Sequence, residues 1–508
     1  MNRIKDFSPR TAAVWFWSVT GFFAMVWVFL PALFHSAYRP DVLELQLIGK
    51  EWVLATRKHP MLPAWILEIL NILTNRAFAA PFLAAQLCAV LSLWSIWSLG
   101  RKVLSEKLAL TGTFAMLPYW YFTVESVKFN QNIALIAFWS LSVFLVFQAF
   151  QTNRPVFWTG GGLSLGLAFH AKYSAIFLVL AILLYMTVRP EGRKHWKTAG
   201  PYLTALTAFL VFLPHGIWLF QNSFTTLSYL QSRPVSHSTR LLHLVFPLKF
   251  LGNELLFWVC PLLVLVPALG FFRSWKLRKP ETVRERECEK FLFYCFMIPL
   301  GLHLLISCVM RLKLLPDYGS VFWLFSGIWL LLRFQPRETP NLFSRTLKTL
   351  AAVELLLVCV FVFQTAFSSY CDAKPRRTHF PMRDLGAACD RIWDSRYSVP
   401  CPYLSGDWIL AGNAAYAMKD HPSVHFYWEN IGDLHAAPTG TWSADSDVNE
   451  QGGLILWNAD RFSEKEIPAW LFKRFPSAEV LPETLVLPYK TGAKIPPLRV
   501  GVAVVPPK

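Results

Sequence analysis

The sequence predicts a polytopic α-helical membrane protein that ends in a soluble α/β domain. Apolar runs of 18 or more residues recur along the first 370 positions, about the length an α-helix needs to cross the hydrocarbon core. Hydrophobic residues make up 54% of the chain and charged ones only 16%, against roughly 45–50% and 25% in soluble domains. Charge also divides along the chain. Residues 369–508 hold 15 Lys+Arg and 16 Asp+Glu, a net −1, whereas the remainder holds 34 and 16 and so carries +18 of the overall +17. Basic residues confined to short loops between apolar spans mark membrane topology, not a nucleic-acid face.

Eleven spans are expected, at about 13–34, 78–100, 107–124, 132–150, 156–170, 173–189, 198–220, 254–272, 291–308, 316–332 and 349–368. The basic start MNRIKDFSPR runs into a first span long enough to stay in the bilayer, without a clear small-residue cleavage site, so it is read as uncleaved. With a cytoplasmic N-terminus, the inward loops carry 22 Lys+Arg and the outward loops 11, over similar total lengths. An odd number of spans then puts residues 369–508 outside. His170-Ala171-Lys172 interrupt the run 156–189. A lysine at mid-bilayer costs several kcal/mol, so a hairpin with its tip at the outer surface or in a wet cavity is expected. Two stretches outside the spans, 41–57 and 239–252, mix apolar with charged residues and read as interfacial helices.

The last 140 residues change character. A helix (381–395), strand (402–405), helix (409–418), strand (423–428), strand (452–458) and helix (463–474) are followed by the apolar runs LVLPY and LRVGVAVV. Alternating strands and helices predict a small α/β domain, with 430–450 as a long loop. The nine cysteines show no CxxC and no Cys/His cluster, so no metal site is expected. Cys389 and Cys401 could pair in an oxidising compartment. No nucleotide-binding glycine fingerprint or nucleophile elbow is present, and the glycines at 160–162 lie within a span, where they allow close helix packing.

The chemistry is expected in residues 39–62, RPDVLELQLIGKEWVLATRKHPML, a polar, acid-rich loop after the first span. Asp41 and Glu44 are three apart and share a helix face. A carboxylate shielded from bulk water near the bilayer can take the proton of an attacking hydroxyl; the plainer alternative is that both acids hydrate the loop. Among the outer-face cations, Lys58, Lys128, Lys172, Arg311 and Lys313 are the candidates to oppose charge on a bound anion or simply to reach the headgroups. Trp52, Trp65 and Tyr121 could stack on a bound ring or anchor helices at the interface.

Asp41 precedes His59-Pro60-Met61-Leu62-Pro63 by 18 residues, and Lys128-Phe129-Asn130-Gln131-Asn132, the segment 167–173 and Pro214-His215-Gly216-Ile217-Trp218 follow. In these motifs, over roughly residues 38–220, the chain resembles the C-type membrane glycosyltransferases of family 39, the protein mannosyltransferases and lipid A aminoarabinose transferases. Met61 replaces the usual second proline, and Asn132 stands where many relatives carry an aspartate. The resemblance implies the C-type fold, in a bacterial inner membrane, with a periplasmic C-terminal domain that caps the cavity or selects the acceptor. It implies sugar transfer from a polyprenyl-phosphate carrier to an envelope glycan, lipid or protein, usually with inversion. Asp41 matches the general base, with Glu44 or Glu125 as a second acid. Lys58, His59, Lys128, Asn130, Asn132, Lys172 and Tyr173 would bind substrate. No cofactor is expected beyond the lipid-linked donor; a divalent metal assists some relatives, but the acids here are too few and scattered to support one. The domains expected are a transferase domain, 1–368, with outer loops 35–77, 125–131 and 221–253, and a periplasmic domain, 369–508. The rival readings are a transporter or lipid flippase, against which no inverted repeat is found, and a non-catalytic envelope-assembly protein on a degenerate transferase fold.

Overall fold

The computed structural model describes residues 7–56, 58–224, 226, 242–269, 280–334, 336, 338–367, 370–371, 374–425, 442–460, 467–492 and 494–508. Two compact units interleave in sequence. One comprises Met1–Leu30 with Pro81–Val360, the other Pro31–Ala80 with Phe361–Lys508.

Among the described residues seven helices are long and apolar enough to span a membrane: Pro9–Phe34, Ala80–Gly100, Gln131–Thr152, Gly200–Gln221, Leu242–Val266, Val283–Met310 and Leu342–Phe367. Tyr173–Val188 and Pro190–Lys197, bent by 97°, form an eighth if counted as one span. The first unit holds most of this apolar helix. Pro155–Ala171 packs along Gly200–Gln221, where a Cβ on Gly162 would stand 2.4 Å from the Thr204 carbonyl oxygen. Lys172, in extended conformation, ends the helix Pro155–Ala171 and breaks the run 156–189, with a 3₁₀ turn at Tyr173–Ala175 before the helix Ile176–Val188.

Two expected spans are not continuous helices. The run 107–124 is helical only over Glu106–Phe114, and then forms turns up to the 3₁₀ segment Val124–Val127. Pro118 lies in this stretch, and a proline disfavours α conformation in the residue before it. The run 316–332 opens as a 3₁₀ turn at Pro316–Gly319 and becomes α-helical only over Ser326–Phe334. The two irregular stretches hold one another. The Tyr121 hydroxyl donates to the Pro316 carbonyl at 2.7 Å, and Tyr119 to Ser320 at 3.3 Å. The stretch 239–252, expected as a separate interfacial helix, is instead continuous with the following span: Leu242–Leu269 is one helix. Its expected start at 239–241 lies outside the described residues, as do the span end at 270–272 and most of the loop 221–253.

In the second unit, Pro40–Lys50 and Leu62–Leu73 are helices in close contact; a Cβ on Gly49 would meet the Ala64 carbonyl oxygen at 2.6 Å. The second of these helices was not expected from sequence, being too short for a span. Six strands form the sheet: β1 Tyr403–Gly406, β2 Ser423–His425, β3 Gly453–Asn458, β4 Glu479–Val480, β5 Leu485–Leu487 and β6 Leu498–Val505. Their order is β2-β1-β3-β6-β4, with β5 also on β6. β1 runs parallel to β2 and β3, while β6 is antiparallel to β3, β4 and β5. The parallel β1–β2 pair needs a crossover, which the helix Trp408–Ala417 supplies. Asp407 caps it by accepting from the backbone N–H groups of Ile409 (2.9 Å) and Leu410 (3.2 Å). Part of the expected loop 430–450 is helical, over Asp445–Gln451. Its earlier part, the strand end at 426–428 and the helix start at 463–466 lie outside the described residues. Cys389 and Cys401 are separate buried thiols, and burial pushes Cys389 up to about 12.

Segment 31–80 joins the C-terminal fold through tyrosines: Tyr38 and Tyr416 share a hydroxyl–hydroxyl bond of 2.9 Å, and Tyr416 also donates to the Arg76 carbonyl at 2.9 Å. Asp445 ties the sheet to the last helix, accepting from Arg474 Nε at 2.7 Å and bonding His425 Nε2 at 2.7 Å. Burial pushes this carboxyl up, but hydrogen bonds from His425 and Arg474, with their charge, outweigh it and hold the group well below its usual range. A depressed carboxyl stabilises the fold above the pH where the unfolded group titrates, and that contribution disappears as pH falls below about 4. Thermal melts between pH 7 and 3 are therefore expected to show Asp445→Asn less stable than wild type at pH 7, with a shallower loss of stability below pH 4.

Candidate active site

The expected site residues fall into both units. In the second unit Pro40 opens the helix at N1, and Asp41 is exposed in its first turn, where negative charge complements the helix dipole. Glu44 lies one turn on and forms an ion pair with Lys58 at 2.9 Å. The chain returns to make this pair through a tight turn. Ala55 and Pro60 form a β-bridge, and the Thr56 N–H donates to the His59 carbonyl at 3.1 Å. The Trp65 indole N–H donates to the Val53 carbonyl at 3.0 Å, fixing the loop from the start of the next helix. Trp52 takes a left-handed backbone (φ 50°) and is half-exposed. Arg57 lies outside the described residues.

In the first unit Glu125 is nearly buried on its 3₁₀ turn and forms an ion pair with Lys128 three residues on. Asn130 caps the helix Gln131–Thr152; its side-chain oxygen accepts from the backbone N–H of Asn132 at 2.9 Å and Ile133 at 3.3 Å. Lys172 donates to the Asn132 side-chain oxygen at 2.5 Å, and its ammonium lies 4.2 Å from the centre of the Tyr318 ring. An amide oxygen and an aromatic face are both neutral partners that favour a cation. The Tyr173 hydroxyl bonds the buried His215 Nε2 at 2.7 Å. Arg311 is the left-handed C-cap of Val283–Met310 and bonds His243, while Lys313 is exposed.

The fold thus brings together Glu44 with Lys58, Glu125 with Lys128, and Lys172 with Asn132. Tyr121 is only 1% exposed, with its hydroxyl spent on Pro316, so its ring presents no face for a sugar. Two partners were missed in the sequence: Tyr318, whose place opposite Lys172 no spacing rule reveals, and His215, quoted only as part of a motif. A third omission was legible. Glu254 is an acid inside an apolar helix, a pattern that calls for explanation. Its side chain is fully buried, and neither carboxyl oxygen has a hydrogen-bond partner among the described residues. It lies directly against Gly319. Among the described residues, no three His, Cys, Asp or Glu side chains gather as a metal site would require.

Comparison with known proteins agrees with this architecture. The model of the dolichyl-phosphate-mannose-protein mannosyltransferase family matches residues 58–218. ArnT from Cupriavidus metallidurans, solved bound to undecaprenyl phosphate, is similar over 98% of this chain and 99% of its own, at 14% identity and a TM-score of 0.57. The archaeal oligosaccharyltransferase AglB from Archaeoglobus fulgidus, in complex with an inhibitory peptide and a dolichol-phosphate, aligns over 81% of this chain and 64% of its own, at 12% identity and a TM-score of 0.41. No curated protein matches the chain by sequence. The chain is a multi-pass membrane protein with the C-type glycosyltransferase fold, similar to the mannosyltransferases and to ArnT.

A Cβ added at Gly319 would stand 2.0 Å from the Glu254 carboxyl carbon. Overpacking of this kind typically costs about 1–3 kcal/mol, so Gly319→Ala is expected to lower the melting temperature of the detergent-solubilised protein. Shortening the acid alongside it, as Gly319→Ala/Glu254→Ala, should recover part of the loss.

Proposed function

We propose that the protein is a membrane glycosyltransferase that moves a sugar from a polyprenyl-phosphate carrier to an envelope glycan, lipid or protein, with Asp41 as general base. The observation that carries the transferase reading is the mannosyltransferase family match over residues 58–218, joined to whole-length likeness in fold to ArnT with its bound undecaprenyl phosphate; the base assignment rests on the place of Asp41 in the first turn of its helix, 18 residues before His59.

Asp41 takes the proton of the acceptor hydroxyl as its oxygen attacks the anomeric carbon. The bond from that carbon to the phosphate oxygen breaks, the electron pair leaves with the polyprenyl phosphate, and the anomeric configuration inverts. Charge grows on the leaving phosphate as the bond breaks, so cations directed at it stabilise the transition state more than the ground state. Lys128 and Lys172 are assigned that work in the first unit. In the second, Glu44 serves as the second acid, its pairing with Lys58 supporting a role in orienting the acceptor. Glu125 is the alternative second acid, and His59, Asn130, Asn132 and Tyr173 are assigned to substrate binding. In this reading residues 1–368 carry the transferase in a bacterial inner membrane, with the N-terminus cytoplasmic. Residues 369–508 are periplasmic and select the acceptor; the positive-inside balance of the loops supports that orientation.

Transfer of labelled sugar from polyprenyl-phosphate donors, measured in membranes carrying wild type or Asp41→Asn, tests the reading. Loss of a positioned base is expected to cost about 10²–10⁴-fold in rate. Unchanged transfer in the variant would remove Asp41 from the role, and transport of the lipid-linked sugar without transfer would overturn the enzyme.

A further inference from the structure

A small cavity in the second unit carries chemistry that glycosyl transfer does not use. Gln46, Lys50, Glu51, Arg76, His421 and Ser423 are among the residues lining it, on the Pro40–Lys50 helix and its C-cap, the turn after Leu62–Leu73, the loop before β2 and the first residue of β2. About 20 Å³ of it is open to the centres of water-sized atoms, room for about one water or one compact oxyanion, not a sugar ring.

Two hydrogen-bond donors around this space are incompletely used. Gln46 is 98% buried, since only 2% of it is exposed. Its side-chain oxygen accepts from Asn71, but its amide nitrogen has no partner among the described residues. Leaving a buried donor unsatisfied costs about 1–3 kcal/mol. Lys50 donates to the His421 carbonyl, which uses one of three ammonium hydrogens. His421 holds a left-handed backbone (φ 45°), strain of the kind that gathers at ligand sites, and its ring is held by hydrogen bonds to the Ala415 and Tyr416 backbone. Of the nearby acids, Glu68 binds Arg76 and Asn71, and Glu51, which also lines the space, accepts from the Ser423 hydroxyl at 2.6 Å.

We propose that this cavity is a binding site for a phosphate group, held by the Lys50 ammonium and the Gln46 amide, with Arg76 alongside. An acceptor-only, negatively charged group would satisfy both donors together. Charge-assisted hydrogen bonds of this type are roughly twice as strong as neutral ones. Burial, with Arg76 nearby, lowers the Lys50 ammonium against the opposing pull of Glu51 and Glu68, and a bound anion would relieve that cost. A lipid headgroup and free phosphate present the same oxygens to these donors. The site stands independently of the transfer reaction, because none of its residues is assigned a role there.

Two titrations of the full-length protein distinguish the sources. One adds inorganic phosphate to protein in neutral detergent at constant ionic strength. The other compares nanodiscs of phosphatidylcholine alone with nanodiscs containing phosphatidic acid, and both read the melting temperature. A saturable rise in the first assigns free phosphate, and a rise only with phosphatidic acid assigns a headgroup. Lys50→Gln and Gln46→Leu should each weaken whichever binding occurs by about tenfold or more, the equivalent of 1.4 kcal/mol. Should either variant fail to fold, as judged by its melt without ligand, the other decides. No saturable shift in either arm, or wild-type binding in the variants that fold, overturns the site.

Discussion

Hydrocarbon offers a backbone amide no partner outside its own chain, and the first unit is arranged around that constraint. Where its spans are regular, the helix satisfies itself. Where they are not, non-helical backbone is tolerated only if it is enclosed in protein. The turns after Phe114 and those around Gly319–Phe325 are almost wholly buried. Each is held by hydroxyl-to-carbonyl bonds from the other's vicinity, through Tyr119 and Tyr121. Close approach of Gly112 and Gly327, where a Cβ on the latter would stand 2.2 Å from the Gly112 carbonyl oxygen, brings the adjoining helices near enough for those bonds to form. The irregular backbone therefore costs less here than its position along an apolar run suggests.

The same constraint decides how much could be read before the structure. Long spans such as Gln131–Thr152 and Val283–Met310 were legible because hydropathy is a sum over many residues and survives local detail. The break at Lys172 was legible because one charge in the middle of an apolar run has few places to go. Segments 107–124 and 316–332 were equally apolar, yet burial inside protein produces the same composition as burial in lipid. Only Pro118 and the Pro316-Asp317-Tyr318-Gly319 sequence marked them, and a single turn signal is easily outweighed by eighteen apolar positions. The C-terminal strands were found because their runs are short and bounded. β4 is two exposed residues long and has no pattern to detect.

Of the site, sequence identified residue types and missed their partners. Spacing along one helix put Asp41 and Glu44 on a shared face, and local turns explain Glu125 beside Lys128 and Asn130 as a cap. Lys172 against Tyr318 joins positions 146 apart in the chain, and Tyr173 with His215 joins positions 42 apart. No periodicity reaches such distances. Asn132, a departure from the expected aspartate, gives Lys172 a neutral oxygen at 2.5 Å. A carboxylate at that position would instead offset the ammonium's charge.

The interleaving of the two units has a consequence in time. Segment 31–80 leaves the ribosome early, but the strands and helices that complete its fold begin only at Phe361, some 280 residues later. At about 5–20 residues per second, synthesis of the intervening chain takes roughly 15–60 s. Through that interval the helix carrying Asp41 and Glu44 exists without Tyr416 or the sheet that will hold it. It is among the first parts of the protein made and among the last to be finished.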